Sequence, residues 1–181
     1  SFPVGIQAGD PRSDAAVLWT VFAGTGGLSV RVYTPTTPGN ALVFYDGPVT
    51  PSATGAVHVD ATGLPALTEL SYVFLEDQGG TQVRSPIGRL VTAPLPGQKV
   101  KLRFGGTSCT SNSRAPFDAL ERAGEAKLDF FILAGDTTYN DSATTESAYR
   151  QRWRAQVGEG TYQAALQSTA HYATWDDHEV D

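Results

Sequence analysis

A chain of 181 residues, 40% of them hydrophobic, can build one large domain or two small ones with ordinary cores. No apolar run approaches the roughly 20 residues that a membrane-spanning helix requires. A net charge of −6 argues against an electrostatic grip on nucleic acid or an anionic membrane, so neither a transmembrane segment nor a nucleic-acid-binding module is expected.

The chain contains no methionine and opens Ser1-Phe2-Pro3. Both features point to removal of an upstream segment. Signal-peptide cleavage is the favoured explanation, which gives an expected secreted or periplasmic bacterial location. The single cysteine, Cys109, excludes an internal disulfide and says nothing about redox compartment.

Residues 1–97 read as short β-rich runs separated by Gly, Pro and Thr turns: 4–8, 15–22, 28–34, 41–45, 56–60, 70–76 and 87–92. Such spacing predicts an antiparallel sandwich. Leu28-Ser29-Val30-Arg31-Val32-Tyr33 alternates with period two, as a strand with one wet face should. Thr62-Gly63-Leu64 followed by Thr68 to Tyr72 resembles the approach to the corner strand of fibronectin type III-like modules, with Leu70 where those modules often carry tyrosine. Thr92-Ala93-Pro94-Leu95-Pro96-Gly97 then reads as a linker, because two prolines and a glycine cannot extend a strand ladder.

After the linker the pattern changes. A buried strand is expected over 100–106, a helix over 115–126 with Phe117, Leu120, Ala123 and Leu128 at helical spacing, and a second buried strand over 130–134. That order is a β-α-β unit with a parallel pair. Two further helices are expected over 146–157 and 162–168, with Tyr149, Trp153 and Val157 on one face of the first, and a final strand over 171–175.

Three segments of this half end in polar residues: Phe104-Gly105-Gly106-Thr107-Ser108-Cys109, Gly135-Asp136-Thr137-Thr138-Tyr139, and Trp175-Asp176-Asp177-His178-Glu179. Parallel strands deliver their C-terminal ends to one sheet edge, where ligands of α/β folds gather. Cysteine, tyrosine, several carboxylates and a histidine at one edge suggest a metal centre. The acids after Trp175 would also repel one another without a cation. Taken singly the residues have plainer readings: a buried packing cysteine, Asp136 as a turn former, Tyr139 as a packing ring, and the acids as a solvated loop. His171 and His58 read as structural. For Arg114, solvent exposure or a helix-start ion pair is favoured over contact with a substrate phosphate.

In this order, after a sandwich, these three motifs resemble the PhoD-like alkaline phosphatases and phosphodiesterases, a family that includes secreted phospholipase D-like members and is akin to the calcineurin-like metallophosphoesterases. The resemblance covers the whole chain. It implies a fibronectin III-like β-sandwich over residues 1–97, followed over 98–181 by the first half of an α/β calcineurin-like metallophosphoesterase domain. It implies metal-dependent hydrolysis of phosphate esters, with phospholipid hydrolysis as an alternative within the same chemistry. Implied cofactors are Fe3+ and Ca2+: Asp136 as bridging carboxylate, Cys109 and Tyr139 as thiolate and phenolate on the ferric side, and Asp177, less surely Asp176, serving calcium. Asp136, Asp177 and His178 would act in catalysis, His178 by orienting substrate or a ligand.

Two departures separate the chain from most metallophosphoesterases: Thr107-Ser108-Cys109 stands where Asp-x-His is usual, and Asp176-Asp177-His178-Glu179 where Gly-Asn-His-Glu is usual. Both match the PhoD-like branch. The family's further Asp and His ligands come later than Asp181, so the expectation is that the polypeptide continues in the intact protein or in a companion C-terminal chain. A non-catalytic secreted ligand-binding module is the alternative from another class.

Overall fold

The computed structural model describes residues 1–35 and 41–180; Asp181, the last residue of the expected second domain, lies outside them. Eight strands among the described residues precede Thr92: β1 (Ile6–Gly9), β2 (Ala15–Val21), β3 (Gly27–Tyr33), β4 (Val43–Val49), β5 (Ala56–Thr62), β6 (Glu69–Gln78), β7 (Thr81–Arg84) and β8 (Gly88–Val91). β1, β2 and β5 are neighbours in one sheet; β4, β3, β6 and β7 are in the other, with β8 also pairing with β6. The period-two reading of β3 holds: Leu28, Val30 and Val32 are buried while the residues between them are partly exposed. These side chains meet Ile6, Leu18, Val57 and Val59 of the facing sheet, together with Leu70, Tyr72, Phe74 and Leu90, in one core. Each fully buried aliphatic side chain there contributes about 1.5–3 kcal/mol.

The strand absent from the sequence reading is β7. Thr81-Gln82-Val83-Arg84 is short and polar, as suits an edge strand. It is set by a two-residue turn, Gly79-Gly80, with φ of +65° and +93°, values that β-carbon-bearing residues rarely adopt.

Beyond the linker come β9 (Phe104–Thr107), α1 (Asp118–Glu125), β10 (Phe130–Ala134), α2 (Glu146–Val157), α3 (Gly160–Ser168) and β11 (His171–Thr174). The expected parallel β9–β10 pair forms, with Phe130 opposite Phe104, and β11 adds in parallel on the other side of β10. β9 is shorter than expected, because residues 100–102 form no ladder and Arg103 is tied to Asp129 instead. α1 also starts late: the amide of Phe117 donates to Thr161 Oγ1 at 2.7 Å, and the proline before it has no N–H to offer a helix.

The two halves share a sheet. Its order is β5-β2-β1-β11-β10-β9, joined where Gly9 pairs in parallel with His171. α1 and α3 cover one face of the β9–β11 portion through Leu120, Phe131, Leu133, Tyr162 and Leu166. On the opposite face, Phe104 stacks on Phe130 at 5.1 Å and Phe130 meets Tyr172 edge-on at 5.7 Å, with Phe104 and Tyr172 exposed. A side-chain link reinforces the join: Arg89 of β8 donates to the carbonyls of Leu128 and Ser168 while pairing with Glu69 at 2.7 Å.

Candidate metal centre

β9, β10 and β11 run parallel, so their C-terminal ends open on the same edge. Past the strand ends the backbone ladder continues between loops: the Cys109 amide donates to the Gly135 carbonyl at 3.2 Å, and the Thr110 amide to the Asp136 carbonyl at 2.9 Å. Cys109 and Asp136 both sit in the left-handed region, at φ of +58° and +52°. Non-glycine residues seldom occupy it, and such strain concentrates at functional sites. Between β10 and Asp136, Gly135 has φ +88° and no room for a side chain, since a β-carbon there would lie 2.8 Å from that of Asp176.

These constraints aim the Asp136 carboxylate at the centre of the loops. The Cys109 thiol donates to Asp136 Oδ2 at 3.4 Å. Tyr139 lies beside both: burial first, then the charges of Asp136 and Cys109, hold its phenol above the ordinary value. It stays neutral until a cation offsets those charges. From the third loop, Asp177 and His178 bring ligand atoms within 4.8 Å of one another and of Asp136. Asp136 therefore stands between two sets of donors, Cys109 with Tyr139 and Asp177 with His178. Its Oδ1 is buried without a hydrogen-bond partner, which fits an oxygen able to ligate a cation.

All the expected residues are thus at one place: Cys109, Asp136, Tyr139, Asp177 and His178. Cys109 is exposed rather than a buried packing residue. Asp176 contributes no ligand atom to the cluster. Glu179 has a different job from that of a repelled loop acid. It is buried, and its carboxylate accepts the amides of Asp136 at 3.1 Å, Asp176 at 2.9 Å, and Thr137. Three backbone amides thus satisfy that carboxylate.

The supporting residues were not readable as such. Asp141 holds His178 Nδ1, and that hydrogen bond is the main reason the imidazole is held above its ordinary value. Tyr139 packs on the same imidazole with ring centres 4.1 Å apart. Asn140 ties the loops together, its amide donating to the His178 carbonyl at 2.8 Å and its side chain to the Glu179 carbonyl at 3.0 Å. Gln156, buried on α2, donates to the Thr110 carbonyl at 2.6 Å. His171 and His58 stay outside the cluster, on β11 and β5. Among the described residues, no helix is long and apolar enough to cross a membrane.

Known proteins bear on the same residues. The family profile described as PhoD-like phosphatase, N-terminal domain, matches residues 1–94, and that described as PhoD-like phosphatase matches residues 104–181. Alkaline phosphatase D of Bacillus subtilis (strain 168) is 29% identical over 210 aligned residues, covering 99% of this chain and 35% of that protein. A solved structure described as the structure of PhoD superposes with a TM-score of 0.84 at 28% identity, covering 99% of this chain and 40% of the other. The chain thus spans about a third of the length of the curated relative it matches. With both profiles covering nearly its whole length, the chain belongs to the PhoD-like phosphatase family.

Proposed function

We propose that this chain supplies part of the ligand set of a two-metal centre that hydrolyses phosphate esters, with the remaining ligands coming from polypeptide beyond it. The observation that carries the reading is the buried, unpartnered Oδ1 of Asp136 between two groups of ionisable donors. The donor set fits the metals named by the family resemblance. Thiolate, phenolate and carboxylate are anionic ligands suited to Fe3+, which lowers their pKa, and carboxylate oxygens suit Ca2+.

Bound there, the metals supply Lewis acidity and a water acidified enough to attack a phosphoester. The chain's own residues do the rest. Asp136 would be the carboxylate shared by the two metals, Cys109 and Tyr139 would help hold one of them, and Asp177 would help hold the other. Asp141 occupies His178 Nδ1, which leaves Nε2 as the nitrogen that would orient the phosphoryl group or meet the leaving oxygen. Glu179 fixes the Asp136 and Asp176 loops against each other.

The test is hydrolysis of a chromogenic phosphodiester by intact protein before and after chelation. Activity lost on chelation and restored by iron and calcium supports the reading. Activity indifferent to chelation, or absent from metal-replete protein, defeats it and favours a non-catalytic binding module exported from the cell.

A second reading keeps the chemistry and changes the substrate to a phospholipid. It is supported by a cleft of about 980 Å³ lined by Trp19, Trp153, Val157, Leu166 and Trp175, which reaches Thr137 and Glu179 beside the metal residues. Faster hydrolysis of micellar phosphatidylcholine than of the soluble diester selects this reading, and the reverse order rejects it.

A further inference from the structure

The three loops of the candidate metal centre follow three different strands, and one helix reaches all of them. Tyr149, Arg152 and Gln156 stand three and four residues apart on α2, so they share one face. The Tyr149 hydroxyl donates to the Val180 carbonyl at 3.1 Å, in the loop that carries Asp177 and His178. The Arg152 guanidinium donates to the carbonyls of Tyr139 at 3.0 Å and Asp141 at 2.6 Å and to the Ser142 hydroxyl at 3.3 Å, in the loop that carries Asp136. The Gln156 side chain donates to the Thr110 carbonyl at 2.6 Å, next to Cys109. Gln156 is buried and Arg152 half-buried.

These loops need outside support. Cys109, Asp136 and Ser142 all have positive φ, at +58°, +52° and +66°. Such backbone persists only where its surroundings over-determine it. The bonds to carbonyls fix where each loop lies and leave the side chains of Cys109, Asp136 and Asp177 free for other work. The helix is itself held at two points. Thr145 Oγ1 accepts the Ala148 amide at its start, and Arg154 donates to the Thr54 carbonyl of the sandwich at 2.8 Å. The sandwich thus bears on the site through α2.

We infer that α2 is a brace for the metal centre, and that Arg152 and Gln156 are positioning residues that hold the Tyr139 and Cys109 loops at the spacing a shared metal requires. The assignment rests on the phosphoesterase reading above. Both residues act through the backbone of the loops.

The test compares intact, metal-loaded wild type with Arg152→Ala, Arg152→Lys, Gln156→Leu and Arg89→Ala. Arg89→Ala removes hydrogen bonds to the carbonyls of Leu128 and Ser168, so it controls for lost stability. Arg152→Ala and Gln156→Leu are each expected to lower kcat on a chromogenic diester about 10–100-fold, the range for groups that support metal ligands. KM stays within about twofold of wild type, since neither side chain is assigned to the substrate. The chelator concentration that removes half of the bound metal falls by a factor in the same range of about 10–100. Arg152→Lys, which keeps a donor and the charge, recovers part of both losses, and Arg89→Ala changes neither. If Arg152→Ala does not fold, Gln156→Leu and Arg152→Lys carry the comparison. Wild-type kcat and metal retention in the site variants, or equal losses in Arg89→Ala, overturn the brace while the wild type remains an active metalloenzyme. A wild type that neither holds metal nor hydrolyses the diester would instead bring down the phosphoesterase reading, and the brace with it.

Discussion

The Glu179 carboxylate accepts the backbone amide of Asp136 at 3.1 Å, linking residues 43 apart in sequence. Through this contact the loop after β11 fixes the conformation of the loop after β10. The same carboxylate takes the amides of Thr137 and Asp176, so one buried side chain satisfies three donors that no strand or helix satisfies. Glu179→Gln replaces one acceptor oxygen by a donor facing those amides. It should cost about 1–3 kcal/mol of stability and lower metal occupancy, measurable by urea denaturation and elemental analysis of the same preparation.

Asp136 is the residue both donor groups share. Asp136→Asn retains the shape and removes the charge. Since residues that merely support a metal ligand cost 10–100-fold when changed, this substitution should reduce phosphodiester hydrolysis by at least about 100-fold. Steady-state rates on intact protein check it, with circular dichroism to confirm the fold.

His171 gives a pH dependence with a definite sign. Burial pushes its imidazole down from 6.5 to about 4, and its Nδ1 has no partner. The folded state therefore favours neutral histidine, and the unfolded state takes up the proton first. Its contribution is fully present above pH 6.5 and is lost as pH falls through about 4. Each unit of difference is worth about 1.4 kcal/mol. His171→Leu should flatten the stability profile across this window, as read from denaturation midpoints at a series of pH values. A wild-type slope that survives the substitution would assign it to other groups.

Arg89 joins the sandwich to the second half by donating to the carbonyls of Leu128 and Ser168. Arg89→Ala leaves these carbonyls and Glu69 without it, at a cost of about 1–3 kcal/mol. The loss should appear as faster amide exchange in β8, α3 and the segment before β10, with the β3–β4 hairpin unaffected.

Much of this architecture is legible in the sequence where burial writes a pattern. β3 alternates, β10 is a continuous apolar run, and α2 keeps its expected limits, Glu146–Val157. β7 is not legible, because a polar edge strand has no apolar period to read. Nor is the shared sheet, since the pairing of Gly9 with His171 depends on how the halves meet. At the site, the residues with metal-binding chemistry announce themselves by type and by their place after strands. The residues that hold them do not. Asn140, Asp141 and Gln156 are ordinary polar residues until the fold sets them beside His178 and Thr110. Glu179 carries the chemistry of a ligand but spends its charge on backbone amides.

The most direct test of the metal centre is elemental analysis for iron and calcium, per polypeptide, on natively purified intact protein and its Cys109→Ala variant. Near-stoichiometric iron in the wild type that is largely lost in Cys109→Ala is the expected result. A metal-free wild type, or a variant that retains its iron in full, would contradict the assignment of Cys109, Asp136 and Tyr139 to a shared centre.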